Sequence, residues 1–183
     1  MTNVPWVGRH QRLSVTCVPA FRRRMADLAE RWVRSFLVKV ASEEVLYAGV
    51  FLPSMSKQRL LRAFPPVHPT VWAHHMTIWH FQDGGDMPDL PWGKTVDLKV
   101  VGHFSNDSAQ AVVVDPPSRL RPQGRTPHIT ISTEAGVAPA TSNALVPGPE
   151  ELEPVRGLPA IKGVVGWVDS REQVHFEPPP SEV

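Results

Sequence analysis

With one cysteine in 183 residues, the chain cannot build an internal disulfide framework or a cysteine-based zinc centre. That usage fits a reducing compartment, and the cytoplasm is the expected location. Basic and acidic side chains nearly cancel, 19 against 18, leaving a formal net charge of +1. So small an excess creates no global field for nucleic acid, and any affinity for RNA has to come from a local patch. No run approaches the roughly 20 apolar residues that cross a bilayer, and the N-terminal stretch lacks the apolar core of a secretory signal, so no membrane partner is expected. A Gly-x-x-x-x-Gly-Lys-Ser/Thr phosphate loop and a nucleotidyl-lysine motif are also missing, and strand joining is not expected of this chain by itself.

What is present is enough apolar residue, 42%, for one domain with a real core. Residues 12–18 read as a short strand, and the arginine-rich stretch after Pro19 reads as a basic surface helix to about residue 38. A strand is expected over 45–52. A helix follows from Pro53 and Ser54, with Ser54 or Ser56 as its cap, Leu60, Leu61 and Phe64 on its inner side, and Pro65-Pro66 ending it. An alternating strand is expected over 94–104, paired with a second strand over 109–115 across the Ser-Asn-Asp-Ser turn. A closing hairpin has arms at 161–169 and 173–176. The division is an N-terminal strand and basic helix over 1–44, the main domain over 45–177, and a disordered proline-rich tail over 178–183. Mixed helices and hairpin-joined strands argue an α+β fold.

Two His-x-Thr tripeptides lie in β-favouring surroundings, His75-Met76-Thr77 and His128-Ile129-Thr130. Side chains alternate along a strand, so His75 and Thr77 share one face, as do His128 and Thr130. The same alternation puts Trp79 with the first pair and Ser132 with the second. Two such strands side by side would bring two imidazoles and two hydroxyls to one cleft. Opening a cyclic phosphate needs water deprotonated on one side and a leaving oxygen protonated on the other, which two histidines supply near neutral pH. Threonine hydroxyls can hold the non-bridging oxygens, and no metal or other cofactor is required. Arg125 could reach a phosphate from its loop, Trp79 could stack on a base, Ser132 could touch the site, and Tyr47 opens the strand expected before the first motif.

These motifs resemble those of the 2H phosphoesterases, above all the cyclic phosphodiesterase domain of fungal and plant tRNA ligases. His75-Met76-Thr77-Ile78-Trp79-His80 is similar to the first motif of that group. HITISTEAGVAPATSNALV, from His128, is similar to the second with its following Ser-Asn segment, and YAGVFL, from Tyr47, to the strand opening the first lobe; the likeness covers about residues 45–168. It implies a bilobal fold with two antiparallel sheet lobes flanking a cleft and helices outside. It also implies catalysis by His75 and His128, phosphate binding by Thr77 and Thr130, and hydrolysis of an RNA 2',3'-cyclic phosphate end to a 2'-phosphate and 3'-hydroxyl. The expected partners are RNA 3' ends or nucleotides bearing that group, with a separate RNA ligase or kinase as a candidate. Related substrates include 2',5'-oligoadenylate and cyclic nucleotides.

Two rival readings remain. One is a non-catalytic nucleotide or RNA-end binder of the same fold. The other is a metal site built from His68, His74, His75 and His80, against which stands the expectation that His74 and His80 face away from His75 in a strand.

Overall fold

The computed structural model, which describes residues 44–84, 86–147 and 152–180, is built chiefly from β-strands, half-buried and alternating over Thr95–Ser105 but buried at six consecutive residues in Ala109–Asp115. In chain order these are β1 (Val45–Phe51), helix α1 (Ser54–Ala63), β2 (Thr70–Val71), β3 (His75–His80), β4 (Thr95–Ser105), β5 (Ala109–Asp115), β6 (His128–Thr133), the short helix α2 (Ser142–Leu145), β7 (Glu153–Pro154), β8 (Ile161–Asp169) and β9 (Val174–His175). The strand and basic helix expected in the first 44 residues lie outside the described residues.

All pairings are antiparallel, in the order β2-β6-β5-β4-β8-β1-β3, with β7 on β4 and β9 on β8. An antiparallel sheet with two α-helices among the described residues is compatible with the α+β expectation. The long strand β4 joins the two halves of the sheet: Thr95 to Leu98 pair with β8, and Lys99 to Ser105 with β5. The ends of the order, β2 and β3, are successive parts of one segment. Trp72 N and Ala73 N still donate to Ile131 O and Thr130 O of β6, whereas from His75 onward the chain pairs with β1. Residues 70–80 therefore run from the edge of one half to the edge of the other.

One apolar cluster lies beneath both halves. It takes Leu60 from α1, Met76 and Ile78 from β3, Leu98 and Val100 from β4, Val112 and Val114 from β5, Ile129 and Ile131 from β6, and Val165 and Trp167 from β8. Each fully buried aliphatic side chain contributes roughly 1.5–3 kcal/mol. The α1 start differs from expectation: its cap is Pro53, whose side chain has no polar atom, and Ser54 and Ser56 sit inside the first turn. Helical bonding begins with Lys57 N donating to Pro53 O, which leaves neither serine at the capping position. At the other end of the described chain, Trp167 Nε1 donates to Glu177 O, and residues 178–180 follow without regular structure.

The same irregularity occurs in both motif strands. Thr77 pairs with Gly49 and Trp79 with Ala48, leaving Ile78 as an extra residue. Thr130 pairs with Ala111 and Ser132 with Gln110, leaving Ile131 as an extra residue. Each is a β-bulge on the residue after the threonine, and it reverses the faces of everything beyond it. Gly49, opposite the first bulge, is forced by space: a Cβ there would lie 2.6 Å from Met76 O. Gly49→Ala is expected to lower stability by about 1–3 kcal/mol, read as a reduced urea midpoint. An unchanged midpoint would mean that this strand pair separates without cost.

Candidate active site

His75 opens β3 and His128 opens β6, and Thr77 and Thr130 follow two residues later on the same faces. All four line one cavity of ≈ 540 Å³, together with Tyr47, His74, His80, Arg125 and Ser142. The strand arrangement explains the convergence. The segment carrying β3 crosses from β6 to β1, so the first residues of both motifs come to the same opening between the halves of the sheet.

His128 is held on both sides. Its Nδ1 donates to Thr126 O at 2.8 Å, and its Nε2 lies 3.0 Å from Ser142 Oγ. Ser142 Oγ donates its single proton to Pro139 O at 2.6 Å and lies 2.7 Å from Thr130 Oγ1. With that proton committed, Ser142 can only accept from its other two neighbours, so Thr130 donates through its hydroxyl and His128 through Nε2. The set of hydrogen bonds is complete only when His128 is the imidazolium. Burial pulls the other way and lowers its pKa, the Thr126 carbonyl offsets part of that, and the Arg125 guanidinium adds to the lowering.

His75 is in the opposite condition. Burial, then the neighbouring charges of His74 and His128, push its pKa down to about 3, so it is neutral at any ordinary pH. Its Nε2 lies 3.2 Å from Thr77 Oγ1, and its ring stacks on Tyr47 at a centroid separation of 4.9 Å. Tyr47 also lies parallel to His80, at 6.1 Å and 2°. Its hydroxyl pKa is raised by burial and by Glu172, which keeps the phenol protonated. His80 is lowered by burial and by Arg125.

Two residues expected at the site are elsewhere. The bulge at Ile78 turns Trp79 onto the core, where its Nε1 is buried with no hydrogen-bond partner among the described residues, and His80 takes the place toward the cavity. The bulge at Ile131 likewise removes Ser132, which is fully buried, donates to Gln110 Oε1 at 2.8 Å and accepts from His68 N. The expectation that His74 and His80 face away from His75 is also overturned, since all three line the cavity. His68 is remote from them, bonded to Asn106 O, with Glu134 3.6 Å away. Among the described residues no group of three or more His, Cys, Asp or Glu side chains is placed to hold a metal ion.

Sequence reasoning missed Ser142, and weighed His74 and His80 only as ligands of the rival metal site and, for His80, as the last residue of the first motif. Only the Ser-Asn pair in the segment after the second motif pointed toward Ser142, fourteen positions from His128 and in no periodic relation to it. Ser142→Ala removes the acceptor of two hydrogen bonds from a fully buried place. The expected result is a His128 imidazole that titrates at lower pH than in the wild type, read by NMR of the ring, with a stability loss of about 1–3 kcal/mol. An unmoved His128 titration would show that Ser142 does not support the cation.

No protein-family model matches the sequence, and no curated protein matches it. A fungal RNA kinase, known from a crystal structure, is similar in fold comparison with a TM-score of 0.44 and 17% identity, over 69% of this chain and 42% of its own. The chain thus spans less than half the length of that protein. No helix among the described residues is long and apolar enough to cross a membrane.

Proposed function

We propose that the protein is a metal-independent phosphodiesterase that opens the 2',3'-cyclic phosphate at an RNA end by two-histidine acid–base catalysis. The observation that carries this is the convergence of His75, Thr77, His128 and Thr130 on one cavity, from two strands that share the same register and the same bulge. The repeated device also supports the bilobal 2H-phosphoesterase architecture, with β4 as the strand common to both halves.

In this mechanism neutral His75 is the base and His128 the acid. His75 Nε2 takes a proton from water as the water oxygen bonds to phosphorus. The bond from phosphorus to the 3' oxygen breaks opposite it, and His128 Nε2 gives that oxygen its proton, leaving a 2'-phosphate and a 3'-hydroxyl. Thr77, 3.2 Å from His75 Nε2, donates its hydroxyl to one non-bridging oxygen, on which charge builds, and Thr130 turns the proton it gives to Ser142 in the empty cavity toward the other when the diester binds. The negative charge of the bound diester raises both imidazole pKa values, which keeps His128 cationic and makes His75 a stronger base than it is in the empty cavity. Arg125, which lines the cavity, adds a positive charge that favours the phosphate. The partners on this proposal are RNA 3' ends in the cytoplasm, with a separate kinase or ligase acting on the product.

The test is product analysis of a short RNA ending in a 2',3'-cyclic phosphate, incubated with the protein in EDTA. Conversion to a 2'-phosphate supports the whole proposal. A 3'-phosphate keeps the mechanism and changes which oxygen leaves, whereas tight binding without product would favour the non-catalytic alternative.

A further inference from the structure

The two histidines differ in what holds Nδ1. For His128 it is the Thr126 carbonyl, which can only accept, so Nδ1 always carries the hydrogen. For His75 it is another imidazole: Nδ1 lies 2.5 Å from Nδ1 of His74. At that separation one proton stands between the rings, since two lone pairs or two N–H groups would repel. If His75 owns that proton, its Nε2 presents a lone pair, which accepts from the Thr77 hydroxyl in the empty cavity and is open to water once that hydroxyl turns to the phosphate. If His74 owns it, a neutral His75 must carry its hydrogen on Nε2 and has no lone pair there.

We propose that His74 is a positioning residue whose protonation state selects the tautomer of His75. Neutral His74, with its hydrogen on Nε2, accepts at Nδ1 and leaves His75 Nε2 able to take a proton from water. Protonated His74 donates at Nδ1 and turns that base off. The catalytic consequence rests on the two-histidine mechanism above; the tautomer control does not.

The backbone is built to hold this pair. In regular strand two successive side chains would point to opposite faces. Here Ala73, fully buried, has φ 51, a left-handed conformation that costs a non-glycine residue about 1–2 kcal/mol. The residue after it is pinned at its carbonyl, which accepts from Leu52 N at 2.8 Å, while Ala73 N donates to Thr130 O. The break between β2 and β3 lets His74 and His75 line the same cavity, with ring centroids 4.5 Å apart. Trp72 packs edge-on against His74 at 5.9 Å. The charged or titratable groups facing His74 are Lys57 from α1 and His75 itself, with His128 beyond His75. Burial and the Lys57 ammonium both favour the neutral ring, the form that accepts.

The experiment is ring nitrogen–proton NMR of the histidine-labelled free protein from pH 9 down to the onset of acid unfolding, on the wild type, His74→Ala and His74→Asp. The wild type is expected to show His75 with hydrogen on Nδ1 and a bare Nε2 at pH 8, changing to the other tautomer as His74 titrates. In His74→Asp, whose carboxylate only accepts, the first tautomer persists to lower pH; in His74→Ala the step is missing. Hydrogen on His75 Nε2 at pH 8 in the wild type, or a step that survives in His74→Ala, would overturn the inference. With the RNA substrate, kcat should fall roughly 10- to 100-fold in His74→Ala at similar KM, the size of loss seen when the partner orienting a metal-bound imidazole is removed, and recover in His74→Asp. If no cyclic phosphate is opened by the wild type, that counts against the activity, and the ring spectra still decide the tautomer control.

Discussion

His75→Ala and His128→Ala are each expected to lower turnover of a 2',3'-cyclic phosphate RNA end by roughly 100- to 10,000-fold, the usual yield of a positioned general acid or base. Turnover by the wild type should persist in EDTA, because every group invoked is a side chain of this protein. The double variant should be little worse than either single one, since the base is of no use without the acid that completes the same step. Urea midpoints at pH 8 should reflect a loss of no more than about 1–3 kcal/mol, for neither ring is among the core residues that hold the sheet together, although His128→Ala leaves Thr126 O and Ser142 Oγ without their histidine partner. Retention of more than a tenth of the rate in either single variant would remove that histidine from the mechanism. Independent, multiplicative losses in the double variant would show that the two do not act in one step.

The second large effect is on stability against acid. His75 is neutral in the folded protein down to about pH 3, because it is buried beside His74 and His128, whereas its ordinary value is 6.5. Below that ordinary value the unfolded chain binds a proton that the folded one refuses, so the contribution is complete above pH 6.5 and is lost as pH falls toward 3. A shift of that size corresponds to about 5 kcal/mol over the interval, against a total stability that for domains of this kind is about 5–15 kcal/mol. His74, His80 and His128 are lowered in the same direction and add to the loss. Asp169 is held low chiefly by the N–H of Gln173, and Glu177 by nearby backbone N–H groups, so both extend it into the carboxylate range. Urea unfolding at half-unit steps from pH 8 to 4 should therefore show a steep fall beginning near pH 6.5. His75→Gln, which cannot protonate, should reduce the slope. A profile that is flat from pH 7.5 to 4.5 would mean that His75 is neither buried nor neutral.

What the amino-acid order determined by itself was local. β-favouring runs bounded by turn residues placed β1, β5 and β8, and period-two alternation placed β4, whose exposed and buried side chains alternate as in a half-buried strand, each to within about one residue. It also placed each histidine on one face with the threonine two residues later, since no irregularity intervenes between them. Alternation failed one step further on, at Trp79 and Ser132, because a bulge is a property of a strand pair. Nothing in Thr-Ile-Trp or Thr-Ile-Ser announces that the partner strand is one residue short, and Gly49 acquires its meaning only opposite Met76 O. The capping of α1 went the same way, with Pro53 rather than a serine at the boundary. Tertiary structure alone decided that the two motif faces meet in one cavity, because that depends on residues 70–80 crossing between the halves of the sheet. It alone brought Ser142 beneath His128 and Thr130, and it alone, through the left-handed turn at Ala73, set two consecutive histidines against each other. Each of these is a long-range backbone pairing or a break in strand geometry, and side-chain periodicity carries information about neither.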